Sequence, residues 1–154
     1  MLEHFPIKMN IQGKEYDLQY LQELQVAEET INENLKDQPA LFAFYAVLEE
    51  VAEAEYVEAK LRVEIVEAQL DYEYRKTSEK VTENLIRNKI RCDDKYLSAV
   101  VAMNDAKKNT GILKAIKDSF SHRKEIVIAL ASNMRAQMDS EIFVKKQEFR
   151  NTIK

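Results

Sequence analysis

The residues best suited to chemistry in this chain are cations and tyrosines set close together. Arg75, Lys76, Lys80, Arg87, Lys89, Arg91 and Lys95 follow one another over a short stretch, with Tyr72, Tyr74 and Tyr96 interleaved. Grooves that hold single-stranded nucleic acid combine cations, which neutralise phosphate, with aromatic faces on which bases stack. The same residues also admit an internal reading, because Glu67, Asp71, Glu73, Asp93 and Asp94 are near enough in sequence to pair with them.

Other chemistries find less to work with. A di-iron helical bundle needs Glu-x-x-His on two helices, and neither His4 nor His122 has a glutamate three residues before it. Cys92 falls on an apolar helical stripe, where a free cysteine packs. His122 stands beside Arg123 and Lys124 in a basic stretch. Glu49, Glu50 and Glu53 place carboxylates at i, i+1 and i+4 of a helix, a spacing that can hold Mg²⁺. The run is similar to the first metal motif of all-α MazG-type nucleoside triphosphate pyrophosphohydrolases. Those enzymes place Glu-x-x-Asp on the next helix, whereas here Glu64-x-x-Glu67 falls on the same predicted helix. The alternative is that these glutamates form the acidic outer face of an amphipathic helix. No catalytic residue, metal ligand or cofactor is assigned.

The elements that must carry these residues are few and long. The chain has 154 residues, 32% of them charged, with only two glycines and two prolines. Sheet-rich folds need many turns built on such residues, and a glycine-rich phosphate loop is excluded. No apolar run approaches membrane-spanning length, and residues 1–11 lack the order of a signal peptide. A lone cysteine suits a reducing compartment, so a cytoplasmic location is expected. The net charge of −4 conceals a division. Residues 1–73 hold five Lys and Arg against 17 acids, and residues 74–154 hold 18 against 10. Either the halves neutralise each other or the basic half meets a polyanion.

Ile7, Met9 and Ile11 alternate with polar residues before Gln12-Gly13-Lys14, which predicts a short strand or hairpin. Asp17 is the expected N-cap of an acidic helix that Pro39 ends near Asp37. A long helix over 40–76 carries Phe44, Val47, Val51, Ala54, Glu58, Leu61, Ile65, Ala68 and Tyr72 in strict 3-4 alternation, a coiled-coil-like seam. A second run, Val81, Leu85, Cys92, Tyr96, Ala99, Met103 and Ala106, lies in a helix over 79–109, separate from the first or partly continuous with it. Gly111 is an expected interruption. The last helix carries Leu113, Ile116, Phe120, Arg123, Val127, Leu130 and Met134, and residues 140–154 read as a frayed basic tail. Glu58 and Arg123, polar on apolar seams, are expected either to pair and fix helix register or to snorkel to solvent.

The expected fold is therefore all-α, with a small N-terminal β-hairpin or strand. An N-terminal arm covers 1–38, a helical core 39–139 and a tail 140–154. Narrow, alanine-rich seams bury little within one copy, which favours a homo-oligomer, with Phe44, Val47, Val51, Leu61, Ile65, Phe120, Val127 and Leu130 as the oligomer or core seam. A monomeric three-helix bundle and a scaffolding coiled-coil protein without nucleic-acid affinity are the alternatives.

From Leu41 to Ala136 the order of features resembles the phage recombination mediator (UvsY-like) family. The likeness rests on Leu70-Asp71-Tyr72-Glu73-Tyr74, close to a Leu-Asp-Tyr-Tyr signature, and on Thr82-Glu83 and Asp94-Lys95 in the second helix. In the last helix it rests on Ala115-Ile116-Lys117, Ser121-His122-Arg123 and Met134-Arg135-Ala136. It implies a non-enzymatic ring that binds single-stranded DNA. Such a ring helps load a strand-exchange recombinase onto DNA coated by single-strand-binding protein in the phage-infected host cytoplasm. The family's basic residues before Leu-Asp-Tyr are replaced here by Glu67 and Gln69. The resemblance therefore moves the expected DNA contacts to Arg75, Lys76, Lys80 and the second helix.

Overall fold

The computed structural model describes residues 7–77 and 82–152, with side chains to Arg150. Strands β1 (Ile7–Ile11) and β2 (Lys14–Leu18) pair antiparallel, Ile11 opposite Lys14. Gln12 and Gly13 turn the hairpin with φ of 50° and 77°, the positive pair that suits the right-handed twist of the strands. The period of two holds, since Met9 and Ile11 are buried and Lys8 and Asn10 exposed. A two-stranded hairpin is marginal alone. This one lies on the helices, where Met9, Ile11 and Leu18 join Tyr45, Leu48, Ala52, Leu113, Ile116 and Phe120 in one core. Two polar contacts hold its tip. The Gln12 amide donates to Glu55 at 3.1 Å, and the Asn109 side chain donates to the Asn10 carbonyl at 2.9 Å.

Asp17 does not cap a helix. It lies in β2 opposite Lys8, and the acidic helix expected over 17–37 is divided into α1 (Tyr20–Glu23), an extended link, a 3₁₀ turn over Glu28–Thr30 and, from Ile31, the first turns of the next helix. The next helix, α2 (Ile31–Thr77), passes through Pro39 instead of stopping before it. Proline offers no N–H to the carbonyl of Leu35. Tertiary contacts hold that turn. The Gln38 side chain donates to the Phe120 carbonyl at 2.7 Å, and Asn34 accepts from Arg123 at 2.6 Å.

After α2 come α3 (Glu83–Arg91) and α4 (Asp94–Thr152). The helix expected over 79–109 is therefore divided at Cys92 and Asp93. Asp93 explains the break. Its carboxylate accepts the Lys95 amide at 2.9 Å and caps the start of α4. Cys92 is exposed at the end of α3 rather than packed. Val81 and Lys80 lie outside the described residues. Gly111 interrupts nothing, and α4 continues through it for 59 residues, about 88 Å at 1.5 Å per residue. Nor is the stretch after 140 frayed, because the helix reaches Thr152.

The fold is all-α with a small N-terminal hairpin, built mainly on the long packing of α2 against α4. Among the described residues, no helix is long and apolar enough to cross a membrane. The last seam holds, with Leu113, Ile116, Phe120, Arg123 and Val127 buried and Leu130 half-buried. The α2 seam requires a correction. Tyr45, Leu48 and Ala52, one residue on from the expected row, pack against α4, and Val63 and Leu70, two residues on from Leu61 and Ala68, are also buried, Leu70 against α3. Phe44, Val47, Leu61 and Ile65 lie outside the chain's own core, 48–64% exposed, and Val51 packs at its edge. Both rows are apolar at helical spacing. Each row carries two alanines, and the inner row is the one that meets the hairpin together with Leu113, Ile116 and Phe120 of α4.

Arg123 is buried, 4% exposed, but its partner is not Glu58, which is exposed. The guanidinium donates to Gln38 and Asn34. Burial lowers its pKa, and nearby Asp37 opposes that only in part.

Candidate nucleic-acid interface

The cationic cluster gathers at one end of the α2–α4 hairpin, where α2 ends, α3 folds back on it and α4 begins. Leu70, Ile86 and Ile90 form a small core there, flanked by Val66, Tyr74 and Tyr96. Ile86 and Ile90, four residues apart, fix which face of α3 turns inward, and so set Arg87, Lys89 and Arg91 outward and exposed.

The end has two flanks. On one, Arg75 is held by carboxylates. It lies 2.7 Å from Asp71, one turn earlier on α2, and 2.8 Å from Glu83 on α3. These bonds raise the Arg75 pKa and lower that of Glu83. The groove beside them is lined by Glu64, Glu67, Asp71, Glu83 and Arg87, an acidic wall that repels phosphate. Arg75, expected as a DNA contact, therefore serves here as a clasp between α2 and α3.

On the other flank the Tyr74 hydroxyl donates to Asp93 at 2.7 Å, and the Lys89 ammonium stands 5.7 Å from the Tyr74 ring centre. The bond to Asp93 raises the Tyr74 pKa. With the Lys95 amide, it lowers that of Asp93. Tyr74 is thus half-buried and engaged in structure. Tyr72 is different. It is 67% exposed, with the Lys76 ammonium 6.0 Å from its ring centre. An open aromatic face beside a mobile cation can receive a base and its phosphate.

The structure thus brings Tyr72, Lys76, Arg87, Lys89, Arg91 and Lys95 to one end of the molecule and engages Tyr74 and Arg75 in holding that end together. The sequence names Asp93 only as a possible partner of the cations, and its double role toward Tyr74 and the Lys95 amide emerges only when α3 folds against α2. Its spacing two residues before the Lys95 amide was the available signal. Lys76, Lys89 and Arg91 also lie in the last turns of α2 and α3, where a cation complements the helix dipole without any ligand.

The carboxylates weighed as a magnesium motif diverge. Glu49 bonds Lys117, Glu55 accepts the Gln12 amide, and Glu50 and Glu53 are exposed. Among the described residues, no group of three or more His, Cys, Asp or Glu side chains is placed to hold a metal ion. No family model matches the chain, and neither does any curated protein or solved structure.

Proposed function

We propose that this chain is a homo-oligomeric, single-stranded-DNA-binding recombination mediator of phage origin. It would work in the host cytoplasm, helping to load a strand-exchange recombinase onto DNA coated by single-strand-binding protein. The observation that carries the reading is the exposed set of Tyr72, Lys76, Arg87, Lys89, Arg91 and Lys95 at one end of a long helical hairpin. Cations supply affinity for any phosphate backbone, and the open tyrosine supplies a stacking face indifferent to sequence. The resemblance from Leu41 to Ala136 supplies the recombination context. A single end offers few contacts, so repetition around a ring is what makes the affinity useful.

Fluorescence anisotropy with a labelled oligonucleotide over a salt series tests this. The expected result is binding at low salt that falls steeply as salt rises, and weakens further in Lys76→Glu/Lys89→Glu. Absence of binding by the wild type at low salt overturns the reading.

A scaffolding protein without DNA affinity is the second reading. The Arg75 clasp favours it, since Asp71 and Glu83 absorb the central cation of the cluster. It predicts the same oligomer and no anisotropy change.

A further inference from the structure

Among the described residues, two open apolar surfaces differ in charge. The first is the outer row of α2, running from Phe44 through Val47, Leu61 and Ile65 to Ala68. It is about 36 Å long at 1.5 Å per residue. Exposed Glu50, Glu53, Glu58, Glu64 and Glu67 lie on or beside it. The second is the end of α4. Arg123 sits opposite Asn34 and Gln38, in the first turns of α2, so α4 runs on past the start of its partner. Residues 135–150 are exposed throughout. Met134, Met138, Ile142 and Phe149 follow one stripe of this extension, about 23 Å long, with Lys145 within it, Arg135 and Lys146 along one edge and Glu141 and Glu148 along the other.

A single short helix standing free in water is marginal and gains its stability by packing an apolar face. Two α2 rows laid together would bring five exposed glutamates of each copy close, with only Lys60 and Arg62 among them to offset the repulsion. The α4 extension has an apolar stripe with one cationic edge, Arg135 and Lys146, to set against the row's glutamates, and it is short enough to lie within the row.

We propose that the α4 extension of one copy docks on the outer α2 row of a second copy. The contact is heterologous, each copy giving its extension to one neighbour and its row to another, which closes into a ring when the rotation allows. This rests on the oligomeric half of the proposed function and is separable from DNA binding.

Leu61→Asp spoils the row and Ile142→Asp spoils the extension, and both sites are about half exposed, at 56% and 48%. Val47→Asp and Phe149→Asp form a second pair. Light scattering after size exclusion reads mass, and circular dichroism checks that each variant stays helical. The expected result is a wild type of several protomers, each variant monomeric, and an equimolar mixture of the two that forms dimers, because one intact row then meets one intact extension. A monomeric wild type overturns the proposal. So does Leu61→Asp of wild-type mass with Ile142→Asp monomeric, the signature of extension pairing with extension. A mixture of helical variants that stays monomeric also overturns it. A wild type that binds DNA and assembles while the mixture fails removes this interface and leaves the DNA reading standing.

Discussion

Arg123 carries a charge that is 4% exposed, inside the α2–α4 packing. Its guanidinium reaches only neutral acceptors, Gln38 and Asn34, and its Nε has no partner among the described residues. A buried charge satisfied by amides is sensitive to the loss of either one. Gln38→Leu strands part of the guanidinium in a dry site and is expected to cost about 2–3 kcal/mol. Replacing both residues, Arg123→Leu with Gln38→Leu, removes the charge along with its acceptor and is expected to cost less than Gln38→Leu alone. Urea denaturation of the two variants and the wild type provides the check, and a double variant less stable than the single one contradicts the account. The sequence marked Arg123 as a polar residue on an apolar seam, and that much was right. Its partner was not legible, because Gln38 falls between Asp37, where the first helix was expected to end, and Pro39.

At the scale of elements, local signals were read correctly where only local physics decided them. The Gln12-Gly13 turn and the alternation of Met9 and Ile11 needed no distant partner to specify them. Pro39, Gly111 and Asp17 misled because packing overrode propensity at each. Gly111 lies within α4, two residues before fully buried Leu113, and a Cβ added there meets nothing within 4 Å. Gly111→Ala should therefore stabilise the chain by about 0.5–1 kcal/mol, the helical penalty of glycine. A thermal melt that shows no gain would place a strain at that turn. The α2–α3–α4 junction makes a different prediction. Asp93 and Glu83 have depressed pKa values, from the Tyr74 and Arg75 bonds respectively. Their contribution is fully present above the ordinary carboxylate range, about pH 4, and is lost as pH falls through the lower folded values. Hydrogen exchange should then show α3 loosening below about pH 4 before the α2–α4 core does. Simultaneous loss of protection in both would contradict this.

The whole molecule is organised by charge as much as by packing. Helix α2 holds 11 acids and five bases, and α4 holds 11 bases and seven acids. The two helices lie together, with Lys117 and Glu49 paired across them. Much of the remaining charge faces outward, including Glu50, Glu53 and Glu64 on α2 and Lys107, Lys108 and Lys114 on α4. Internal neutralisation therefore does not exhaust the division seen in the sequence. Periodicity in one helix also cannot say which of two adjacent apolar rows is used within the chain, which is why the α2 seam was misplaced at Phe44, Val47, Leu61 and Ile65. If the outer row assembles copies and the junction end binds DNA, affinity must depend on assembly. A monomeric Leu61→Asp protein keeps Tyr72, Lys76 and Lys89 in place, so each end retains its contacts. It loses the linked ends, and with them a factor of about 10²–10⁴ in apparent affinity for a long oligonucleotide. An oligonucleotide short enough to meet one end should bind wild type and variant within about twofold of each other, since linkage adds nothing there. Anisotropy with the two lengths separates the cases, and an equal loss on both would mean that Leu61 acts on the DNA-binding end itself.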